Sequence, residues 1–172
     1  VTGGEVRYLS SQPPYAAELR LAAHPTPEEQ VRFIANIERI LSEGSFVATY
    51  KYALLVALVD LAIERGDDSG AALPLRIDDI AEKFAELYWR QAAPYGTAGA
   101  KASGIILHQN QGKQAAAIRL LSDLRRRAGT LTEARRSPHW RPLVAAMRTL
   151  LRTMPLWRLQ KVAHDELVFL YE

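Results

Sequence analysis

Residues 52–63 read YALLVALVDLAI, and this stretch decides the fold class. Apart from Asp60 it is apolar on every side of a helix, which is typical of a helix buried at the centre of a domain. It is too short to span a membrane, which takes about 20 apolar residues. The sequence therefore predicts a central buried helix, with Ser45 as the cap at its start.

Helical patterns continue on both sides of this stretch. Thr26, Pro27 and the acids after them indicate the start of an earlier helix, which ends at Gly44. Later helices are predicted from near Asp78 to before Pro94, from a cap at Asn110 to Gly129, from Pro142 to Pro155, and briefly around Trp157. We expect an all-α, single compact domain of five to six helices over residues 25–172, preceded by an N-terminal arm or loosely packed lead-in at residues 1–24.

Charge is distributed unevenly along the chain. The whole sequence has a net charge of +3, but residues 1–86 carry 8 basic and 14 acidic side chains, whereas residues 87–172 carry 14 basic and 5 acidic ones. The second half, at +9, is suited to a polyanion such as DNA. The alternative is that these basic residues merely solvate helix faces.

The sequence contains no pattern that indicates catalysis, a metal or a cofactor. It has no cysteine, which excludes disulfides and thiolate metal sites and is consistent with a cytoplasmic protein. The four histidines are isolated from one another without metal-ligand spacing. Residues 95–104, YGTAGAKASG, predict an exposed glycine-rich binding loop but lack the spacing of a P-loop. We therefore expect a binding domain and not an enzyme.

Four cations are candidates for phosphate binding. Lys51 lies near the start of the apolar helix, where the helix dipole disfavours a cation unless an anion also binds, although it could instead extend from the core to solvent. Lys113 lies at the predicted start of the fourth helix, where free backbone N–H groups also favour an anion. Lys101 is on the glycine-rich loop, where an exposed lysine could instead serve solubility. Arg90 lies where the third helix meets that loop, beside Tyr88, Trp89 and Tyr95. We expect at least some of this aromatic area to be exposed, although core packing alone could explain Tyr88 and Trp89.

An amide-rich stretch beside Lys113 is a candidate for reading bases. Its members are His108, Gln109, Asn110, Gln111 and Gln114. Glutamine and asparagine can form two hydrogen bonds with an adenine edge. The same residue types also cap helices and form turns, so the pattern leaves both roles open.

Four stretches resemble a known family. SFVATYKYALLVALVDLA, IAEKFAELYWRQAAPY, HQNQGKQAAAI and MPLWRLQ are similar to the N-terminal part of bacterial HNH-type, McrA-like type IV restriction endonucleases, over roughly residues 27–172. In some of these enzymes a sulfur-binding domain recognises double-stranded DNA with a phosphorothioate backbone, and the resemblance implies that role. The sequence has no HNH motif, so the resemblance does not extend to cleavage.

The implied sulfur pocket consists of Ala93, Pro94 and Tyr95. A sulfur atom in place of a phosphate oxygen keeps the charge but is larger and a poorer hydrogen-bond acceptor, so an apolar pocket would prefer it. Lys51, Lys101 and Lys113 would then hold flanking phosphates. The alternative function is a helical protein-interaction or dimerisation module of a nuclease, without direct DNA readout.

Overall fold

The structure, a computed structural model, describes residues 25–43, 49–67, 71–94, 106, 114–153, 155–162, 165–166 and 169–171. These residues form seven helices followed by one antiparallel pair of two-residue strands. The elements are α1 (Pro27–Glu43), α2 (Tyr50–Arg65), α3 (Ile77–Trp89), α4 (Ala116–Ala128), α5 (Leu131–Arg136), α6 (Trp140–Thr153), α7 (Pro155–Leu159), β1 (Lys161–Val162) and β2 (Asp165–Glu166). The all-α prediction is confirmed. The predicted arm at residues 1–24 and the loop at residues 95–104 lie outside the described residues.

The central helix of the bundle is α3. It packs against α2, α4 and α6. Its buried residues recur in pairs along one broad face: Ile80, Ala81, Phe84, Ala85, Tyr88 and Trp89. Phe84 and Tyr88, at 0% and 1% exposure, are among the largest fully buried side chains of the described core. The aromatic face of α3 therefore provides the surface on which the other long helices pack.

The prediction of a helix buried on all sides is wrong for α2. Leu54 and Leu61 are buried, but Tyr52, Val56, Val59 and Ile63 are 45–77% exposed. Among the described elements α2 packs against α3 and α7, and these contacts leave about half or more of each of the four side chains exposed. Within the described ranges, no helix has the length and apolarity that crossing a membrane requires.

Two helix starts differ from those predicted. The N-cap position of α2 is Thr49 and not Ser45, and that of α4 is Ala115 and not Asn110. Neither cap residue makes a side-chain cap hydrogen bond, so the capping chemistry that guided the prediction does not set these starts. The predicted end of α4 at Gly129 is confirmed, with a φ of +71° that favours glycine.

A capping box starts α5, which has no counterpart among the predicted helices. The Thr130 hydroxyl accepts a hydrogen bond from the Glu133 N–H at 3.2 Å, and the Glu133 carboxylate accepts one from the Thr130 N–H at 3.1 Å. After α5 the chain enters α6 at Trp140, two residues before the predicted Pro142. Pro142 still lies in the first turn, where a backbone N–H has no partner within the helix.

Replacing Thr130 by Ala should lower the free energy of unfolding by about 0.5–2 kcal/mol at neutral pH, because the hydrogen bonds of the Thr130 hydroxyl with Glu133 are lost. Hydrogen bonds from Thr130 hold the pKa of the Glu133 carboxyl below its ordinary value. A carboxyl pKa lowered by folding contributes stability above the unfolded pKa, and this contribution is lost as the pH falls through the folded pKa. The difference in the free energy of unfolding between wild type and Thr130→Ala should therefore become smaller in acid.

Urea unfolding at about pH 7 and about pH 3 measures both effects. Thr132→Ala is the matched control, because Thr132 is an exposed threonine of the same helix outside the capping box. An equal loss of stability in the two variants would contradict the capping role of Thr130.

Candidate nucleic-acid interface

One side of α3 carries an acidic row that accepts hydrogen bonds from the basic half of the chain. Asp78, Glu82 and Glu86 are four residues apart and so share one side of the helix. Each accepts a donor from α5 or α6: Asp78 from Arg148 at 3.1 Å, Glu82 from Trp140 Nε1 at 2.9 Å, and Glu86 from Arg135. Because the donor numbers fall as the acid numbers rise, α6 runs antiparallel to α3.

The other side of α3 forms ion pairs with α2. Arg65 contacts Asp79 at 2.5 Å, and Lys83 contacts Glu64. Such partly exposed pairs add little stability one by one. Together with the acidic row, these pairs neutralise three of the four acids of α3 within the bundle, namely Asp78, Asp79 and Glu86. Arg148 and Arg135 of the basic half neutralise Asp78 and Glu86.

Six arginines of the basic half remain exposed, and no acidic side chain of the described residues lies within the 4.0 Å limit of an ion pair to them. They are Arg90, Arg119, Arg127, Arg136, Arg141 and Arg152. An excess of exposed cations that form no ion pairs produces a positive surface potential that attracts a polyanion. The charge asymmetry of the sequence is thus partly neutralised inside the bundle and partly exposed.

Arg125 connects the end of α4 to the end of α3. Its Nη1 donates to the Trp89 carbonyl oxygen at 2.7 Å, and its guanidinium carbon lies 5.3 Å from the centre of the Trp89 ring. The adjacent residue Arg90 follows Trp89, and the Arg135–Glu86 pair lies one turn earlier. Arg125 and Arg135 contact this end of α3, and together with Arg90 and their sequence neighbours we call them the arginine cluster: Arg90, Arg125, Arg126, Arg127, Arg135 and Arg136.

The same end of α3 meets the starts of α2 and α4. The hydroxyls of Thr49 and Tyr88 lie 2.6 Å apart, and the Tyr50 hydroxyl accepts a hydrogen bond from the Ala117 N–H at 3.2 Å. The rings of Tyr50, Phe84 and Tyr88 lie 4.7–5.8 Å apart, centre to centre. Burial raises the pKa of both tyrosines, so these hydroxyls stay neutral in their hydrogen bonds at physiological pH.

Three predicted site residues follow α3 directly. Arg90 and Pro94 are exposed, and Ala93 is half-buried. They lie at the end of α3 that also carries the Arg125 contact, so part of the predicted pocket adjoins the arginine cluster. The other predicted pocket residue and most phosphate- and base-contacting candidates lie outside the described residues: Tyr95, Lys101, His108, Gln109, Asn110, Gln111 and Lys113.

Lys51 and Gln114 lie at the starts of α2 and α4. Lys51 is in the first turn of α2 and 8% exposed, and burial lowers the pKa of its ammonium group. An anion bound at this helix start would favour the charged ammonium. The Gln114 Oε1 accepts a hydrogen bond from the Ala115 N–H at 3.1 Å, a local contact typical of turns. The prediction that Asn110 begins α4 and places Lys113 in its first turn is wrong, because α4 begins at Ala116.

An apolar groove between α2 and α3 was missed by the sequence reasoning. Its volume is about 360 Å³, and its lining residues are Thr49, Tyr52, Ala53, Val56, Leu87, Tyr88 and Gln91. Tyr88 and Trp89 are 1% and 5% exposed and therefore belong to the core. In this groove the exposed ring is that of Tyr52, at 48%. The spacing of Tyr52 and Val56 could have indicated this surface, but the apolar residues on the other faces of α2 hid the pattern.

The comparisons with known proteins identify one family. A family model described as "Domain of unknown function (DUF8808)" matches residues 30–172. No curated protein and no solved structure matches the chain significantly. Within the described residues, no group of three or more histidine, cysteine, aspartate or glutamate side chains is placed to hold a metal ion.

Arg125→Met should lower the free energy of unfolding by about 1–3 kcal/mol, because the Trp89 carbonyl loses a charged donor and the indole ring loses a cation. Arg126→Met is the matched control: the Arg126 side chain is 74% exposed and pairs with Asp123 on the surface, so the expected change is within about 0.5 kcal/mol. Urea unfolding followed by tryptophan fluorescence measures both variants. Equal stability of the two variants would rule out an anchoring role for Arg125.

Proposed function

We propose that this chain, which belongs to the family described as "Domain of unknown function (DUF8808)", is a DNA-binding domain that recognises phosphorothioate-modified duplexes. The observation that carries the proposal is the arginine cluster at the end of α3, beside Ala93 and Pro94. Its exposed members Arg90, Arg127 and Arg136 form no ion pair among the described residues. A regularly charged phosphate backbone is the ligand class that such a surface attracts most strongly.

The arginine cluster would contact phosphates without reading sequence, and so set the position of the domain on the duplex. Lys51 at the start of α2 is proposed to bind one such phosphate, since the helix dipole at that end favours an anion. Lys101 and Lys113 are proposed to hold the phosphates on either side of the modification. His108, Gln109, Asn110, Gln111 and Gln114 are proposed to contact the neighbouring base edges.

Preference for sulfur is proposed from the resemblance to McrA-like enzymes, with Ala93, Pro94 and Tyr95 as the pocket. A phosphate oxygen that enters an apolar pocket loses its water without gaining a donor, whereas sulfur loses less. The exposed Pro94 and half-buried Ala93 offer carbon surface next to cations, which suits a ligand that is charged but poorly hydrated at one atom.

In this proposal the domain brings an HNH nuclease domain, which lies outside the present sequence, to modified foreign DNA in the cytoplasm. The domain itself contributes binding and no cleavage. A helical interaction module is the second candidate, because α2 exposes an apolar face. Measurement of DNA binding separates the two candidates, since the second predicts no affinity for a duplex.

Affinity for unmodified duplex DNA should fall steeply between about 50 and 200 mM salt, because bound arginines release counterions. Arg127→Gln should make the slope of log affinity against log salt shallower by about one unit. The matched control is Arg32→Gln on α1, since Arg32 is also exposed and has no ion pair among the described residues. Fluorescence anisotropy measures both variants. Salt-insensitive binding, or the same slope change in both variants, would refute the proposed DNA face.

Tyr95→Ala should weaken binding to a duplex with one stereodefined phosphorothioate by at least about tenfold, because an aromatic contact with sulfur is lost. Binding to the otherwise identical unmodified duplex should change little. Gel shifts give the affinity of wild type and variant for each of the two duplexes. The melting temperature of the variant serves as the control for folding. An equal loss on both duplexes would place the sulfur contact elsewhere.

A further inference from the structure

A buried glutamine connects the end of α7 to residues 169–171. Gln160 lies between α7 and β1 and is 4% exposed. Its Oε1 accepts hydrogen bonds from three consecutive backbone N–H groups, those of Phe169, Leu170 and Tyr171, at 2.7–3.3 Å. Its Nε2 donates to the Tyr171 carbonyl oxygen at 2.8 Å. We call residues 169–171 the strap, because this one side chain forms hydrogen bonds with the backbone of all three.

The strap also contacts two helices. The Tyr171 hydroxyl donates a hydrogen bond to the Leu156 carbonyl oxygen of α7. The Phe169 ring lies edge to face with the Phe33 ring of α1, with 5.5 Å between the ring centres. Among the described elements α7 packs against α2 and α6. The strap is therefore a connection between α1 and the helix that joins it to the bundle.

Of the long helices α1 is the least buried. All 17 of its residues are described, and only Ile40 is buried, whereas α3 has six buried residues. Its main contacts with another described element are with β1, which begins one residue after Gln160. In its first half Val31, Phe33 and Ile34 are 48–67% exposed. A helix with so little burial has a low free energy of local opening.

We propose that Gln160 is the latch of a conformational device, in which the strap and α1 open together while α2, α3, α4 and α6 stay folded. When the latch opens, three backbone N–H groups lose their acceptor, and α1 loses its contact with the Phe169 ring. Water replaces the glutamine as the acceptor in the open form. The opening therefore costs far less free energy than unfolding of the core.

The latch also controls a groove on the first half of α1. The groove has a volume of about 680 Å³, and its described lining includes Pro25, Phe33, Ile34 and, from the strap, Phe169. Opening of the strap removes Phe169 from the wall of the groove. The groove is therefore complete only in the latched form.

Native-state hydrogen exchange tests the latch without DNA, and the inference does not depend on the proposed function. In the wild type, the amides of residues 33–40 should exchange faster than the slowest amides of α3, because they exchange through local opening. Gln160→Met keeps the length of the side chain and removes its hydrogen bonds. This variant should speed exchange of the amides of residues 33–40 by at least about tenfold.

Gln30→Met is the matched control for the latch. It makes the same change at an exposed glutamine of α1, whose side chain donates a hydrogen bond to the Pro25 carbonyl oxygen. Exchange of residues 33–40 should stay as in the wild type. An acceleration equal to that in Gln160→Met would overturn the proposal.

A core variant separates local opening from global unfolding. Leu121 of α4 is fully buried, so Leu121→Ala should speed the slowest amides of α3, which exchange through global unfolding. It should leave exchange of residues 33–40 unchanged, because α4 stays folded when α1 opens. Gln160→Met should instead speed both sets by the same factor, because its hydrogen bonds are lost in the open form and in the unfolded chain alike.

Phe169→Ala removes the ring contact with Phe33 without changing Gln160, and it keeps the proposal testable if Gln160→Met does not fold. It should also speed exchange of residues 33–40. Three further results would overturn the proposal: wild-type α1 amides as slow as the slowest α3 amides, equal acceleration of both sets by Leu121→Ala, and unchanged α1 exchange in Phe169→Ala or in a folded Gln160→Met.

Discussion

The acidic row of α3 is the constraint on which the arrangement of the second half of the chain depends. Three carboxylates four residues apart accept donors in reverse order from α5 and α6, which fixes both the direction and the register of α6 on α3. Burial of the neighbouring aromatic face supplies most of the stability, since partly exposed ion pairs contribute little. The row thus selects one packing among those that the apolar surface would allow.

This constraint also decides where positive charge remains. The acidic row neutralises Arg135 and Arg148, whereas Arg90, four residues after Glu86, forms no ion pair within the described residues because Glu86 pairs with Arg135. Arg125 packs against the carbonyl and ring of Trp89, which brings the run of arginines at the end of α4 to the same place. The arginine cluster is therefore located where the internal neutralisation stops.

Helical content and most helix positions could be predicted from the sequence, because apolar spacing and the Pro and Gly boundaries are local signals. Which helix lies at the centre of the bundle could not be predicted from the sequence. Residues 52–63 are more apolar than α3, yet α3 is the helix with neighbours on several sides, because its acids and aromatic rings contact α2, α4, α5 and α6. Burial depends on such long-range contacts, and a hydrophobic pattern alone does not report them.

Part of the candidate site could be predicted from the sequence, because that part depends on local signals and the rest depends on long-range contacts. Arg90 and Pro94 follow from a helix end that is visible in the sequence. Arg125 could not be predicted as a site residue, because its contact with Trp89 is formed across 36 residues and has no local signal. The error at Asn110 arose because a good capping residue was taken as the start of α4, while Ala115, which has no capping side chain, holds that position.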